Sequence, residues 1–226
     1  MDAEQTLVEV RRLRAQARAR AHGGAWLPAA AIAALLLASI ALYRWPFGQT
    51  SSIVAEYPFW AGVADEQRSP MLSYLFWFLG TPLVVGLTAA WYRRRERVSG
   101  MRVAWPLFAA AGLGVLVLLA VLAAAPSGPQ PDALSAAGPW WPGFLTPLLP
   151  VAAGVVALGV AERSRALVAA GVWIALMAVW LCQWWPLGTI PGGMLSLRPG
   201  HYLVVMALPL LVFAAVRYAR GRTAGD

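Results

Sequence analysis

The chain has 226 residues, of which 60% are hydrophobic and only 12% charged, with a mean hydropathy of +0.62. A soluble domain needs roughly a quarter of its residues charged to cover its surface, so an ordinary soluble fold is excluded. The net charge of +8 would point to nucleic acid in a soluble protein, but here every basic residue is an arginine and the arginines cluster at the ends of apolar runs, where lipid headgroups account for them.

The composition also bounds the chemistry. One cysteine, Cys182, rules out an intrachain disulfide, and His22 and His201 are the only histidines. The common Cys/His metal clusters need more ligands than this. No cofactor is implied.

Residues 1–24 form a basic tail with Arg11, Arg12, Arg14, Arg18 and Arg20. Leu7, Val10 and Leu13 recur at helical spacing, which predicts a short amphipathic helix lying on the inner leaflet. Gly23-Gly24 marks a break before the first apolar run. That run, about Trp26 to Tyr43, is not followed by a small-residue cleavage site, so it reads as a retained helix rather than a signal peptide. Residues 44–70 are the longest connection. A second span follows at about Met71 to Tyr92 and ends in Arg93-Arg94-Arg95-Glu96-Arg97.

The third span is expected over about Ala104 to Ala125, and a Pro/Gly/Ser-rich connection leads to a fourth over about Pro142 to Ala161. Glu162, Arg163 and Arg165 make a tight turn into the fifth, about Ala166 to Trp185. The sixth covers about His201 to Ala219, and residues 220–226 form a short tail. Runs of roughly 20 apolar residues match the thickness of a bilayer core. The fold class is therefore all-α, a polytopic transmembrane bundle of six helices over residues 25–219. With the N-terminus inside, every arginine lies on the inner side except Arg44, Arg68 and Arg198. The positive-inside rule then places both termini in the cytoplasm of a plasma-membrane protein.

The three outward connections share a motif, Trp45-Pro46, Trp141-Pro142 and Trp185-Pro186, and the returning helices carry Pro82, Pro147 and Pro209. Each proline removes a backbone donor, so a kink is expected at all three. Whether the three hairpins are a true repeat, or only reflect interfacial tryptophans and helix-ending prolines, stays open. Small residues at four-residue spacing mark expected packing faces: Ala30, Ala34 and Ala38; Ala153, Ala157 and Ala161; Gly171 and Ala175.

No span carries an ionisable residue near its centre, which argues against an ion-coupled carrier. Metalloprotease, nucleophile-elbow and phosphate-loop motifs are missing from the sequence. Two candidate sites remain. Glu56 beside Tyr57, Phe59 and Trp60 offers an external contact for a cationic or amphipathic ligand; the same residues also suit a loop resting on headgroups. Arg93, Arg94, Arg95 and Arg97 offer a docking face for a cytoplasmic partner. His201 with Asp65 or Glu66 forms an acid–base pair on paper, and a plain interfacial histidine is the simpler reading.

A basic tail at 5–21, six spans with both ends inside, and the loop Arg93-Arg94-Arg95-Glu96-Arg97-Val98-Ser99-Gly100 after the second span resemble the layout of type-2 ABC exporter permeases. In that family the loop meets a separate ATPase. Here it is short and shows no clear Glu-containing coupling segment. The resemblance implies a membrane-embedded subunit of a transport system that pairs with an ATPase and with a second permease subunit. The alternative is a non-enzymatic scaffold, sensor or accessory protein that docks a cytoplasmic regulator through its arginines. Both need the lipid bilayer and neither needs nucleic acid. The substrate and the oligomeric state, homo- or hetero-oligomer, are not written in the sequence.

Overall fold

The computed structural model describes residues 5, 7–10, 24–47, 68–99, 105–124, 146–183 and 198–223. Within them the protein is all-α, with seven principal helices. Six are α-helices: α1 (Trp26–Ala38), α2 (Pro70–Ser99), α3 (Trp105–Ala124), α4 (Leu148–Ala161), α5 (Arg165–Gln183) and α6 (Pro199–Thr223). The seventh is a 3₁₀ turn, Ser39–Leu42, that extends α1. Of the expected N-terminal helix, Gln5 and Leu7–Val10 are helical and exposed, and the rest lies outside the described residues.

Local chemistry sets the helix starts. Pro70 and Pro199 open α2 and α6, where the missing N–H had no intrahelical partner in any case. Ser69 Oγ accepts the Leu72 N–H at 3.4 Å ahead of α2, and Ser164 Oγ accepts the Leu167 N–H at 3.5 Å ahead of α5. Thr146 Oγ1 accepts the Leu148 N–H at 3.3 Å. Pro147 is the N-cap of α4, so the kink expected there is not made: the ring precedes the first turn and interrupts no ladder bond. Pro82 and Pro209 do lie inside α2 and α6.

The helices alternate in direction, and each end of the bundle is defined by contacts. At one end Trp91 Nε1 donates to Gly24 O at 2.7 Å, and Trp26 meets both Trp91 and Tyr218. At the other, Arg68 N donates to Leu42 O and Gly200 N to Pro46 O, each at 2.9 Å. The first end carries Arg93, Arg94, Arg95, Arg97, Arg163, Arg165, Arg217 and Arg220; the second carries Arg44, Arg68 and Arg198.

Two helix pairs pack most extensively, α4 on α5 and α1 on α6; α2 and α3 barely touch. At the α4–α5 contact, a Cβ on Gly171 would lie 2.9 Å from Val156 N and 3.0 Å from Ala152 O, so only glycine lets the backbones approach this closely. The packing faces of α1 and α4 differ from expectation. Ala29, Ala33 and Leu36 are buried on α1, while Ala34 and Ala38 are exposed. On α4 the buried set is Leu148, Pro150, Val151, Ala152, Val155 and Gly159, with Ala153 and Ala161 exposed. The four-residue spacing is right but the register is wrong. When all faces of a helix are apolar, spacing cannot select the one that faces protein.

Among the described residues two helices, Met71–Arg97 and Pro199–Arg220, are long and apolar enough to cross a membrane, and four more are apolar but shorter. Only 22% and 28% of the two long windows is buried in the bundle. A soluble core helix of that hydropathy would be mostly covered. Leu79 and Leu83 on α2, Leu113 on α3, Val160 on α4 and Leu208 on α6 are all more than half exposed.

Candidate functional site: a cavity at the arginine-rich end

While its outside is apolar, the bundle's interior holds hydroxyls and two charges: Ser39, Ser73, Thr81, Thr88, Thr146, Glu162, Ser164 and Arg198 are all buried. Most of the hydroxyls are satisfied locally. Ser39 Oγ donates to Leu36 O at 2.6 Å, Ser73 Oγ to Ser69 O at 3.3 Å and Thr88 Oγ1 to Val84 O at 2.8 Å. Glu162 and Thr81 are different. Glu162 Oε2 and Thr81 Oγ1 are buried and accept or donate no hydrogen bond.

Both residues line one cavity of about 720 Å³ among α1, α2, α3 and α4. Its existence follows from the loose seam between α2 and α3. Small residues keep it open: Ala111 and Gly112 on α3, Gly154 and Ala157 on α4. Ile32 and Leu35 of α1 contribute to its wall, and most of the lining is apolar. The polar groups gather at the arginine-rich end, where Tyr92, Arg95, Glu96, Glu162 and Arg163 line the cavity.

The turn after α4 places Glu162. The Ser164 N–H donates to Gly159 O at 2.8 Å and the Arg163 N–H to Val160 O at 3.1 Å. These two bonds make a Schellman cap, with Glu162 as the last α-region residue and Arg163 in the left-handed position at φ 51°. Glycine is the usual occupant there, and an L side chain costs roughly 1–2 kcal/mol. The cap turns the chain within three residues and leaves Glu162 only 6% exposed. Tyr92 OH donates to Glu162 Oε1, joining α2 to the α4–α5 turn across the mouth of the cavity.

Aromatic residues frame this mouth. Trp105 Nε1 donates to Glu96 Oε2 at 2.8 Å, which ties the start of α3 to the end of α2. Phe108 meets the rings of Tyr92 and Trp105 edge-on, and the Arg93 guanidinium lies 5.3 Å from the Trp105 ring centre. Arg95 packs against Gly24, in space that any Cβ at that position would fill.

Of the arginine cluster expected as a docking face, one member, Arg95, turns inward. Arg93, Arg94 and Arg97 are exposed, Arg93 with its guanidinium over the Trp105 ring, and half-buried Arg95 turns to the α1 start and the cavity. The proposed external contact at Glu56, Tyr57, Phe59 and Trp60 lies outside the described residues, as do Asp65 and Glu66. His201 accepts the Arg198 N–H at its Nδ1, 3.1 Å away, and stacks edge-on against Phe47. No group of three or more potential metal-ligating residues occurs among the described residues.

Sequence reasoning marks Thr81 only as a hydroxyl beside Pro82 and does not single out Tyr92 or Glu162 as site residues. One signal was present: Glu162 is the carboxylate that ends an otherwise uncharged span, level with a tyrosine near the end of α2, a helix that runs the same way. Comparison with known proteins identifies no relative, since no family model, curated protein or solved structure matches the chain.

Proposed function

We propose that the chain is a multi-pass membrane protein, the membrane-embedded subunit of a transport system, and that its cargo is an amphipathic molecule held in the cavity between α2, α3 and α4. The cavity is the observation that carries this reading. It has the size of a small-molecule site, an apolar body and a few polar groups gathered at one end. The surrounding surface supports a lipid setting, because the large exposed side chains on α2, α3 and α6 are apolar while hydroxyls and Glu162 are inside. In that setting all six helices span, the arginine-rich end faces the cytoplasm, and both chain ends lie there.

A transport subunit of this kind works with an ATPase, and the exposed Arg93, Arg94 and Arg97 at the end of α2 are where such a partner would dock. The same three arginines favour a second reading, a scaffold that docks a regulator and moves nothing.

Photo-crosslinking separates the two. The protein is reconstituted in nanodiscs with a single-chain amphiphile carrying a diazirine in its tail, and adducts are mapped by mass spectrometry. Adducts should concentrate at Val85, Ala111 and Val115 and disappear in Ala111→Trp, which fills the cavity. Labelling confined to the outward Leu79, Leu83 and Leu113, unchanged by Ala111→Trp, would remove the cargo reading and leave the scaffold.

A further inference from the structure

A hydroxyl inside an apolar helix has a default partner, the carbonyl one turn back on its own chain. Ser39, Ser73 and Thr88 all take it, each donating to a carbonyl of the preceding turn. Thr81 does not. Its side chain is 4% exposed, and its Oγ1 makes no hydrogen bond. One turn nearer Pro70, on the same face of α2, the Trp77 ring is fully buried and its indole N–H makes none either. Two groups able to donate thus lie buried one turn apart with nothing to receive them. An acceptor oxygen is what this level of the helix lacks, and a ligand that supplies one recovers the cost of burying them.

Thr81 is also the α2 residue of the cavity wall nearest Pro70. It stands eleven residues from Tyr92, which at 1.5 Å per residue is about 16 Å along the helix. The wall between them is apolar, with Val84, Val85, Ala111 and Val115, and the Thr88 hydroxyl there is spent on Val84 O. At the Tyr92 level Glu162 lines the cavity together with Arg95 and Arg163. Both signs of charge are present, so that end asks for a polar head and does not select its charge. The selective feature is the far end, where a plain hydrocarbon tail would leave the Thr81 hydroxyl without a partner. At about 1.2 Å of advance per extended single bond, a chain covers the distance in roughly a dozen carbons.

We infer that the cavity binds a long-chain molecule that is polar at two places, with a head at the Tyr92 level and a hydroxyl or carbonyl oxygen at Thr81. This rests on the reading of the cavity as an amphiphile site and adds the second polar group. The chemistry has two sources, a bilayer lipid with an oxygenated acyl chain or a free long-chain compound.

The test uses the full chain in nanodiscs of phosphatidylcholine, titrated with dodecyl compounds at matched fractions of the bilayer, with thermal stabilisation as readout. The compounds are the diol with a hydroxyl at each end, its isomer with both hydroxyls at one end, and the plain alcohol. The first should bind about tenfold more tightly than the other two, the worth of satisfying one buried polar group. Thr81→Val should erase that preference and leave the plain alcohol as before. The comparison is repeated with the near hydroxyl exchanged for a carboxylate and for an ammonium group, and the preference should hold for every head that binds. If the wild-type chain shows no preference for the distant hydroxyl in any series, the inference is overturned, whether or not Thr81→Val folds. A water kept permanently between Trp77 and Thr81 gives that result. Unchanged preference in a folded Thr81→Val chain overturns it as well.

Native mass spectrometry of the chain extracted from its membrane then identifies the source. A lipid with an oxygenated acyl chain, retained by the wild type and lost from Thr81→Val, points to the bilayer. No retained lipid, together with tight binding of the end-to-end diol, points to a free compound. If all the compounds bind alike and Ala111→Trp blocks them, the second polar group falls while the amphiphile site stands. If none binds, the amphiphile site falls with it.

Discussion

Gly171→Ala adds one methyl group to the α4–α5 contact, and the structure gives both terms of its effect. In a helix interior, alanine is favoured over glycine by about 0.8–1 kcal/mol. Against this, the new Cβ would lie 2.6 Å from Val156 Cγ2, 2.9 Å from Val156 N and 3.0 Å from Ala152 O. Two of those neighbours are backbone atoms, so no rotamer change relieves the clash and the helices must move apart. Overpacking of this sort costs about 1–3 kcal/mol. The net expectation is destabilisation of up to about 2 kcal/mol, a fall of several degrees in Tm at roughly 2–4 °C per kcal/mol for a chain of this length. Gly86 on α2 provides the control, since a Cβ there meets nothing within 4 Å. Gly86→Ala should leave Tm unchanged or raise it. Thermal unfolding of both purified variants in the same detergent measures the contrast. If Gly171→Ala is as stable as Gly86→Ala, the close α4–α5 approach is wrong.

Three other expectations follow from the same contacts. Tyr92→Phe removes the donor to Glu162 Oε1 and should cost about 1.5–3 kcal/mol, the range for a hydrogen bond to a charged group; a loss below half a kcal/mol in detergent unfolding would mean that the bond is not formed. Arg163→Gly relieves the left-handed residue of the α4 cap and should raise stability by about 1 kcal/mol, whereas a drop would show that the arginine side chain outweighs the backbone strain. In a Cys182→Ala background, Arg97→Cys and Arg163→Cys should be shielded from an impermeant thiol reagent in intact cells while Val63→Cys and Asp132→Cys react; labelling at 97 without lysis reverses the proposed orientation.

Helix limits were largely legible in the sequence because length and punctuation both report them. The second and sixth apolar runs open on prolines that the structure uses as first-turn residues, and α3 and α5 fall within two residues of their expected bounds. The α4 start lies later than the apolar run suggests because Pro147 caps the helix instead of interrupting it. The packing register was not legible for a different reason. Along WLPAAAIAALLLA the faces of α1 are equally apolar, so nothing in the spacing distinguishes Ala29 and Ala33, which are buried, from Ala34 and Ala38, which are not. The site was hidden by its own neighbours. Glu162 sits among arginines that sufficed to explain a turn, and its bond to Tyr92 joins residues seventy apart in the chain.

The two ends of the bundle are fastened by different kinds of atom. At the Tyr43 end the ties between elements are largely main-chain: Arg68 N to Leu42 O, Gly200 N to Pro46 O, with the Arg68 Nε bond to Tyr43 O added at 3.0 Å. Main-chain donors survive every substitution except proline. At the opposite end the fasteners are the side chains of Trp91, Tyr92, Glu96, Trp105 and Glu162. Heritable change therefore acts unevenly on this protein. One end can drift through many sequences while keeping its geometry, and the other rewrites its geometry whenever one of five residues changes. Diversification of what the bundle accommodates is expected at the arginine-rich end, with the Tyr43 end serving as the fixed frame.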